Sequence, residues 1–164
     1  MRRSFLLNNT VDTESAAKCF AEVAVVGDTL LLQGPVGAGK TDFARRFIQN
    51  RQGEFGLIED VPSPTFTLIQ TYDLGLVQIW HADLYRLSNV DELYELGLEA
   101  AFDDAICLVE WPERMGDQAP DDAMWLHFEI TGENTRVLHL EWTDSKWDTA
   151  GDMIAIMLIE VQDN

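Results

Sequence analysis

One lysine and one threonine end a glycine-rich stretch whose spacing is typical of phosphate binding. Residues 34–41 read G-P-V-G-A-G-K-T and have the form G-x-x-x-x-G-K-[ST]. The glycines let the backbone close around a phosphate, which side chains would otherwise block. In this pattern Lys40 reaches the β- and γ-phosphates and the Thr41 hydroxyl binds Mg²⁺. The residues expected to contact a nucleotide are Val36, Gly37, Ala38, Gly39, Lys40 and Thr41.

The segments on both sides of this loop predict the elements that an anion site needs. The apolar run Thr29–Gln33 predicts a buried strand, and the apolar residues of 42–50 share one helical face. At the start of such a helix, unpaired N–H groups and the positive end of the helix dipole converge on one point. A glycine turn that binds nothing is the alternative, and the flanking strand and helix count against it.

A nucleotide-bound Mg²⁺ also needs a carboxylate at a strand end, and two are available. Glu110 follows the apolar run Ala105–Val109, and Asp83 follows a second run, Leu76–Trp80. The long apolar run before Glu110 favours it as a metal ligand. Asp83 is the second candidate, and a strand-end acid that faces solvent is the alternative for both.

Other residues of possible chemical interest have a structural explanation that the pattern alone favours. Ser63 and Thr65 offer two hydroxyls on either side of Pro64, but on pattern alone a proline-stiffened turn is the better explanation. His81 is more typical of a buried, hydrogen-bonded histidine than of a base. Trp111 is more typical of a core residue than of a stacking platform.

Composition excludes several classes of protein. The 164 residues are enough for one domain, 1–164, with a substantial core. The formal charge of −18 disfavours direct binding to DNA or RNA, whose phosphates are bound mainly by Lys and Arg. Cys19 and Cys107 lie in apolar contexts without metal-site or redox spacing, which predicts two reduced core thiols. Because no signal peptide or transmembrane run is visible, we expect a cytoplasmic protein with no membrane partner.

The remaining elements follow from periodicity and turn residues. The patterns predict a helix over residues 14–25 capped by Asp12 or Thr13, a loop at 53–56, a hairpin of strands 66–72 and 76–80, short helices at 89–95 and 98–103, and strands at 124–130 and 136–142. The final apolar segment, 153–161, is compatible with a helix or a strand, and the pattern favours a helix. Strands and helices alternate in the first half and antiparallel strands close the second. The predicted fold is an α/β P-loop NTPase three-layer sandwich with a mixed, partly antiparallel central sheet.

Further motifs follow the P-loop in a characteristic order. They are Ser63-Pro64-Thr65-Phe66-Thr67-Leu68, His81-Ala82-Asp83-Leu84-Tyr85-Arg86-Leu87, Glu95-Leu96-Gly97 and Glu110-Trp111-Pro112-Glu113. Together they resemble the TsaE (formerly YjeE) family, the bacterial ATPase of tRNA threonylcarbamoyladenosine biosynthesis. The resemblance covers roughly residues 10–140. The motif at residues 81–86, combined with Ser63-Pro64-Thr65-Phe66 and the P-loop, is far more specific than a P-loop alone.

The resemblance implies a weak, Mg²⁺-dependent ATPase that is stimulated by TsaB- and TsaD-type partners. It also implies that these partners modify adenosine 37 of tRNA, so that this chain has no direct contact with the tRNA. It implies that Thr41 and Glu110 hold Mg²⁺ and that Asp83 is required for hydrolysis. It further implies that residues 63–65 form a switch-like loop and that Thr13 and Arg136 lie near the nucleotide. Pro35-Val36 and Asp42 depart from the family pattern, which has Asp-Leu and a second Thr there.

Two other functions remain open on the residues alone. A small-molecule P-loop phosphotransferase would need an acceptor pocket and a phosphate-clamping lid, and the few arginines are not clustered into one. A nucleotide-dependent regulatory protein would need binding without turnover. The chain has no N-K-x-D tetrapeptide for guanine, which favours adenine by elimination.

Overall fold

Two apolar runs that were predicted as strands lie next to each other within the sheet. Thr29–Gln33 and Ile106–Glu110 are buried along almost their whole length. Strands that are covered on both faces are continuously apolar rather than alternating, so their sequences already indicate helices on either side. The computed structural model describes residues 1–57 and 59–162.

The described residues form eight strands, five α-helices and two 3₁₀ segments. The strands are β1 (Arg2–Leu7), β2 (Thr29–Gln33), β3 (Ile69–Asp73), β4 (Gln78–Asp83), β5 (Ile106–Glu110), β6 (Met124–Ile130), β7 (Arg136–Glu141) and β8 (Ile159–Val161). The helices are α1 (Thr10–Val23), α2 (Lys40–Glu54), α3 (Asp91–Leu96), α4 (Leu98–Asp104) and α5 (Asp148–Met157), and the 3₁₀ segments are Pro112–Gln118 and Ser145–Trp147.

The sheet is mixed, with the order β3-β4-β5-β2-β6-β7-β1-β8. Its four central strands, β4, β5, β2 and β6, run parallel. The strands outside them pair antiparallel, β3 with β4 on one side and β7, β1 and β8 in turn on the other. Because the central strands are parallel, their carboxyl ends lie at one edge of the sheet, where ligands of open α/β sheets bind.

Helices cover both faces of the sheet, which confirms the predicted three-layer sandwich. The larger core lies under α1, α2 and α5, where Phe20 and Phe128 each meet the ring of Phe43 edge to face, with centroids 5.9 and 5.7 Å apart. The smaller core lies under α3, α4 and the first 3₁₀ segment, around Leu31, Leu98 and Val109. The larger core holds α2 against the sheet and so sets the position of the P-loop.

Both cysteines are free and buried, as predicted. Burial raises the pKa of the Cys107 thiol to about 12 and also raises the pKa of Cys19. Thiols in this state are protonated and unreactive near neutral pH.

The predicted starts of two elements are wrong. Helix α1 is capped by Asn9, not by Asp12 or Thr13, because the Asn9 side chain accepts from the backbone N–H groups of Val11 and Asp12 at 2.8 and 3.2 Å. Strand β3 begins at Ile69 rather than at residue 66, because Leu68 has a φ of 64°. Such a left-handed residue interrupts an extended run.

The predicted ends of two helices are also wrong. Helix α2 continues through Gly53 to Glu54, so the loop begins later than the glycines indicate. The final segment is not one helix: α5 ends at Met157, and β8 then pairs with β1. Within the described part of the chain, no helix has the length and hydrophobicity that a membrane span requires.

Candidate nucleotide-binding site

Three neighbouring parallel strands deliver the predicted site residues to one edge of the sheet. The P-loop follows β2, Glu110 ends β5, and Asp83 ends β4. Asp83 and Glu110 are paired in register on adjacent strands. Both carboxylates are buried, with 5% and 2% of their surface exposed. The strand-end alternative, in which these acids face solvent, is therefore wrong.

The P-loop is held close to the sheet by a glycine that has no room for a side chain. A Cβ on Gly34 would lie 2.6 Å from the carbonyl oxygen of Phe128 in β6, and its φ is 144°. The loop then wraps onto the start of α2, where Gly39 takes a φ of 109°. The backbone path of residues 34–41 thus depends on positions where any other residue would be strained.

Lys40 is turned back onto its own loop. Its ammonium group donates to the carbonyl oxygens of Gly34 and Pro35, the latter at 2.9 Å. It also lies 4.2 Å from the centre of the Trp111 ring, a cation–π distance. Burial lowers the pKa of Lys40, while the charges of Glu110, Glu113 and Asp83 act in the opposite direction. These contacts are replaceable, since a phosphate would offer the same ammonium group stronger acceptors.

Glu110 is fixed by one group on each of its oxygens. Its Oε2 accepts from the Thr41 hydroxyl at 2.9 Å, and its Oε1 lies 2.8 Å from Nε2 of His81. The Thr41 contact joins the first turn of α2 to the end of β5. The two residues predicted to hold Mg²⁺ are thus in direct contact.

Asp83 is oriented from two directions. Its Oδ1 accepts from the backbone N–H of Tyr85 at 3.0 Å, and its Oδ2 accepts from the Thr65 hydroxyl at 3.2 Å. The Thr65 hydroxyl lies in turn 2.7 Å from that of Ser63. The predicted serine and threonine therefore form a hydroxyl chain that ends on a candidate catalytic carboxylate.

A pocket of about 400 Å³ opens between these groups. Its lining residues are Val36, Gly37, Ala38, Gly39, Lys40, Thr41, Asp42, Thr65, Asp83, Tyr85, Glu110 and Trp111. Ser63 is exposed and reaches the pocket only through Thr65. A volume in this range suits a nucleotide-sized ligand.

A second pocket, of about 310 Å³, borders the same loop. Thr13 and Arg136 both line it, together with Gly37, Ala38 and Gly39. The Arg136 guanidinium donates to the carbonyl oxygens of Gly37 and Ala38 at 3.0 and 3.3 Å. The structure thus brings both residues to the P-loop; their contact with a nucleotide remains a prediction.

The oxygen atoms of Thr41, Asp83 and Glu110 suit Mg²⁺ bound together with a nucleotide better than a metal ion bound by protein side chains alone. Among the described residues, no group of three or more His, Cys, Asp or Glu side chains could hold a metal ion. Mg²⁺ normally takes one or two carboxylates together with waters and substrate phosphates. Glu110, Asp83 and the Thr41 hydroxyl offer oxygen ligands of that kind beside a phosphate-binding loop.

Sequence reasoning did not predict the contacts that three residues make at the site. Tyr85 and Trp111 line the pocket, and their rings are 4.9 Å apart. His81 is a buried, hydrogen-bonded histidine, as predicted, but its partner, Glu110, was not predicted. Their positions one or two residues from the strand-end acids were the available signal. It could not show which way the side chains point.

Comparisons with known proteins agree with the resemblance seen in the sequence. A family model described as "Threonylcarbamoyl adenosine biosynthesis protein TsaE" matches residues 7–139. The chain belongs to the TsaE family. The tRNA threonylcarbamoyladenosine biosynthesis protein TsaE of Rickettsia felis is 39% identical over 132 residues, which span 80% of this chain and 75% of that protein. Its Bacillus subtilis counterpart is 36% identical over 129 residues, 78% of each chain.

A solved structure supports the same assignment at the level of the fold. The crystal structure of YdiB from Bacillus subtilis is similar to this TsaE-family chain with a TM-score of 0.73 and 25% sequence identity. The match covers 96% of each chain. It therefore extends over more of the chain than residues 7–139, which the family model matches.

Proposed function

We propose that this chain binds ATP with Mg²⁺ and hydrolyses it as a subunit of the machinery that makes threonylcarbamoyladenosine in tRNA. The observation that carries the proposal is the contact between the Thr41 hydroxyl and Glu110, 2.9 Å, at the mouth of the P-loop pocket. It joins the two side chains that would share a Mg²⁺ ion. The names of the family model and of the curated relatives support the tRNA pathway.

The binding step follows from the P-loop. Backbone N–H groups at the start of α2 would cradle the phosphates, and Lys40 would exchange its two loop carbonyls for phosphate oxygens. Thr41, Glu110 and Asp83 would hold Mg²⁺, which neutralises charge on the phosphates. The second pocket, which Thr13 and Arg136 line, would hold the remainder of the nucleotide.

Hydrolysis would depend on Asp83. A water oxygen would bond to the γ-phosphorus while the bond from that phosphorus to the β–γ bridging oxygen breaks, leaving ADP and phosphate. Asp83, held by Thr65 and the Tyr85 N–H, would orient this water and accept its proton.

The strong acidity suggests how the chain takes part in tRNA modification. A net charge of −18 repels tRNA, so we infer that TsaB- and TsaD-type partners make the tRNA contacts in the cytoplasm. ATP hydrolysis by the purified chain, with and without those proteins, tests this directly. We expect a low rate alone and a large increase with the partners. Stoichiometric phosphate transfer to a metabolite without partners would instead support a phosphotransferase.

Two variants separate binding from hydrolysis. A ligand at 100 times its dissociation constant raises the free energy of unfolding by about 2.7 kcal/mol. Lys40→Ala should abolish the rise in melting temperature that Mg-ATP gives the wild-type chain. Asp83→Asn keeps one side-chain oxygen for Mg²⁺ but cannot accept a proton, so it should retain most of that rise and lose partner-stimulated turnover. An unchanged rise in Lys40→Ala would refute the assignment of the site. Unchanged turnover in Asp83→Asn would leave Asp83 without a catalytic role and favour a different base.

A further inference from the structure

Glu110 is hydrogen-bonded to a residue that does not line the pocket. His81 lies on β4, the neighbouring strand, and its side chain is completely buried. Its Nε2 lies 2.8 Å from Oε1 of Glu110, while Oε2 accepts from Thr41. Because an ionised carboxylate only accepts hydrogen bonds, Nε2 must be the protonated ring nitrogen, and its N–H donates the hydrogen bond to Glu110.

The packing of His81 is not what requires a histidine there. Its other ring nitrogen, Nδ1, is buried and has no hydrogen-bond partner among the described residues. An unpaired buried polar atom lowers stability, and the neighbouring core position on the same face, Ile79, is apolar and fully buried. The hydrogen bond to Glu110 is thus the one polar interaction that the imidazole makes.

We propose that His81 is a positioning residue that holds the Glu110 carboxylate with Oε2 toward Thr41 and the pocket. The inference rests on the proposed function, because it assumes that ATP binds together with Mg²⁺. Without the Nε2–H donor, the Glu110 side chain can rotate about its terminal bond, which has a broad torsional preference. Groups that orient a metal-binding residue in this way typically change metal affinity 10- to 100-fold when removed.

The test measures Mg²⁺ dependence rather than turnover. A non-hydrolysable ATP analogue is titrated by calorimetry into the full chain, first with EDTA and then at increasing Mg²⁺. Mg²⁺ should increase the affinity for the analogue, and the Mg²⁺ concentration that gives half of this increase is called the Mg²⁺ midpoint. For His81→Leu we expect an unchanged affinity in EDTA and a Mg²⁺ midpoint that is about 10- to 100-fold higher than in wild type. Ile79→Ala removes core packing on the same strand and serves as the control, with an unchanged Mg²⁺ midpoint expected.

Two conservative variants keep the proposal testable if His81→Leu does not fold. The amide nitrogen of His81→Gln can reach the position of Nε2 and should restore the wild-type midpoint, whereas His81→Asn is too short and should not. In a Glu110→Gln background, His81→Leu should add no further shift, because the two residues act as a unit. A wild-type midpoint in both His81→Leu and His81→Asn would overturn the inference about His81 and leave the proposed function intact. Mg²⁺-independent binding in wild type would overturn the proposed function together with it.

Discussion

Lys40 shows at the scale of one residue how the site can change on binding. Its ammonium group is buried, donates to two carbonyls of its own loop and lies over Trp111. Burial is the largest effect on its pKa and lowers it. A phosphate anion within contact distance would favour the charged form. The pKa of Lys40 should therefore rise when a nucleotide binds.

This rise predicts proton uptake on binding at alkaline pH. Below the lowered pKa of the free protein, Lys40 is already charged and takes up no proton. As pH increases through that value, the free protein loses the proton that the complex keeps, so affinity falls and uptake appears. Calorimetry of ADP binding in two buffers with different protonation enthalpies, between about pH 7 and about pH 9.5, measures it. Lys18→Gln, an exposed lysine on α1, should leave the uptake unchanged. Proton release, or no exchange at all, would contradict the expected direction.

The positions of single residues were the most predictable part of the site. The spacing of the P-loop specifies Lys40 and Thr41 wherever the motif occurs, and Glu110 was identified by the apolar strand before it. The contacts of His81 and Trp111 could not be predicted in the same way. Each depends on the register between strands that are distant in sequence, and periodicity within one strand does not contain that register.

Gly34 links two elements, the P-loop and β6. The absence of a side chain at this position lets the loop leave β2 against the Phe128 carbonyl. Sequence patterns identified β2 and β5 closely because they are continuous apolar runs, and β6 and β7 because apolar and polar residues alternate along them. They did not identify β8, whose three residues become a strand only by pairing with β1 at the other end of the chain.

A pair of glycine substitutions tests the contribution of this close approach. Gly34→Ala should lower the free energy of unfolding by about 1–3 kcal/mol, since the new Cβ meets backbone and the φ is unfavourable. It should also weaken nucleotide binding, because relief of the clash moves the P-loop. Gly53→Ala is the control: it lies inside α2 with open space around it and should stabilise by about 0.5–1 kcal/mol. Urea unfolding of both variants gives the comparison. A stable Gly34→Ala chain with wild-type affinity would show that the loop tolerates displacement from β6.

The charge of the whole molecule affects its stability as well as its partners. The formal charge is −18, and the stretch from Leu87 to Glu113 contains acidic residues and no Lys or Arg. Self-repulsion of this kind destabilises the compact state. In α3, Asp91 and the exposed Glu95 lie four residues apart on one helical face, where two like charges destabilise a helix by about 0.2–0.5 kcal/mol.

Salt should therefore stabilise this chain, and a single charge reversal should reduce that dependence. The melting temperature should rise between about 0.01 M and about 0.3 M KCl as the Debye length falls from about 30 Å to below about 10 Å. Glu95→Lys replaces the repulsion with an attractive pair to Asp91 and should add about 0.5–1 kcal/mol at the lowest salt. Glu95→Gln removes only the repulsion, so it should give about half that gain. Equal stability of Glu95→Lys and wild type at low salt would show that local charge has little effect on α3. A melting temperature that falls with added salt would instead mean that attractive ion pairs, such as Lys146 with Asp28 and Asp122, outweigh the repulsion.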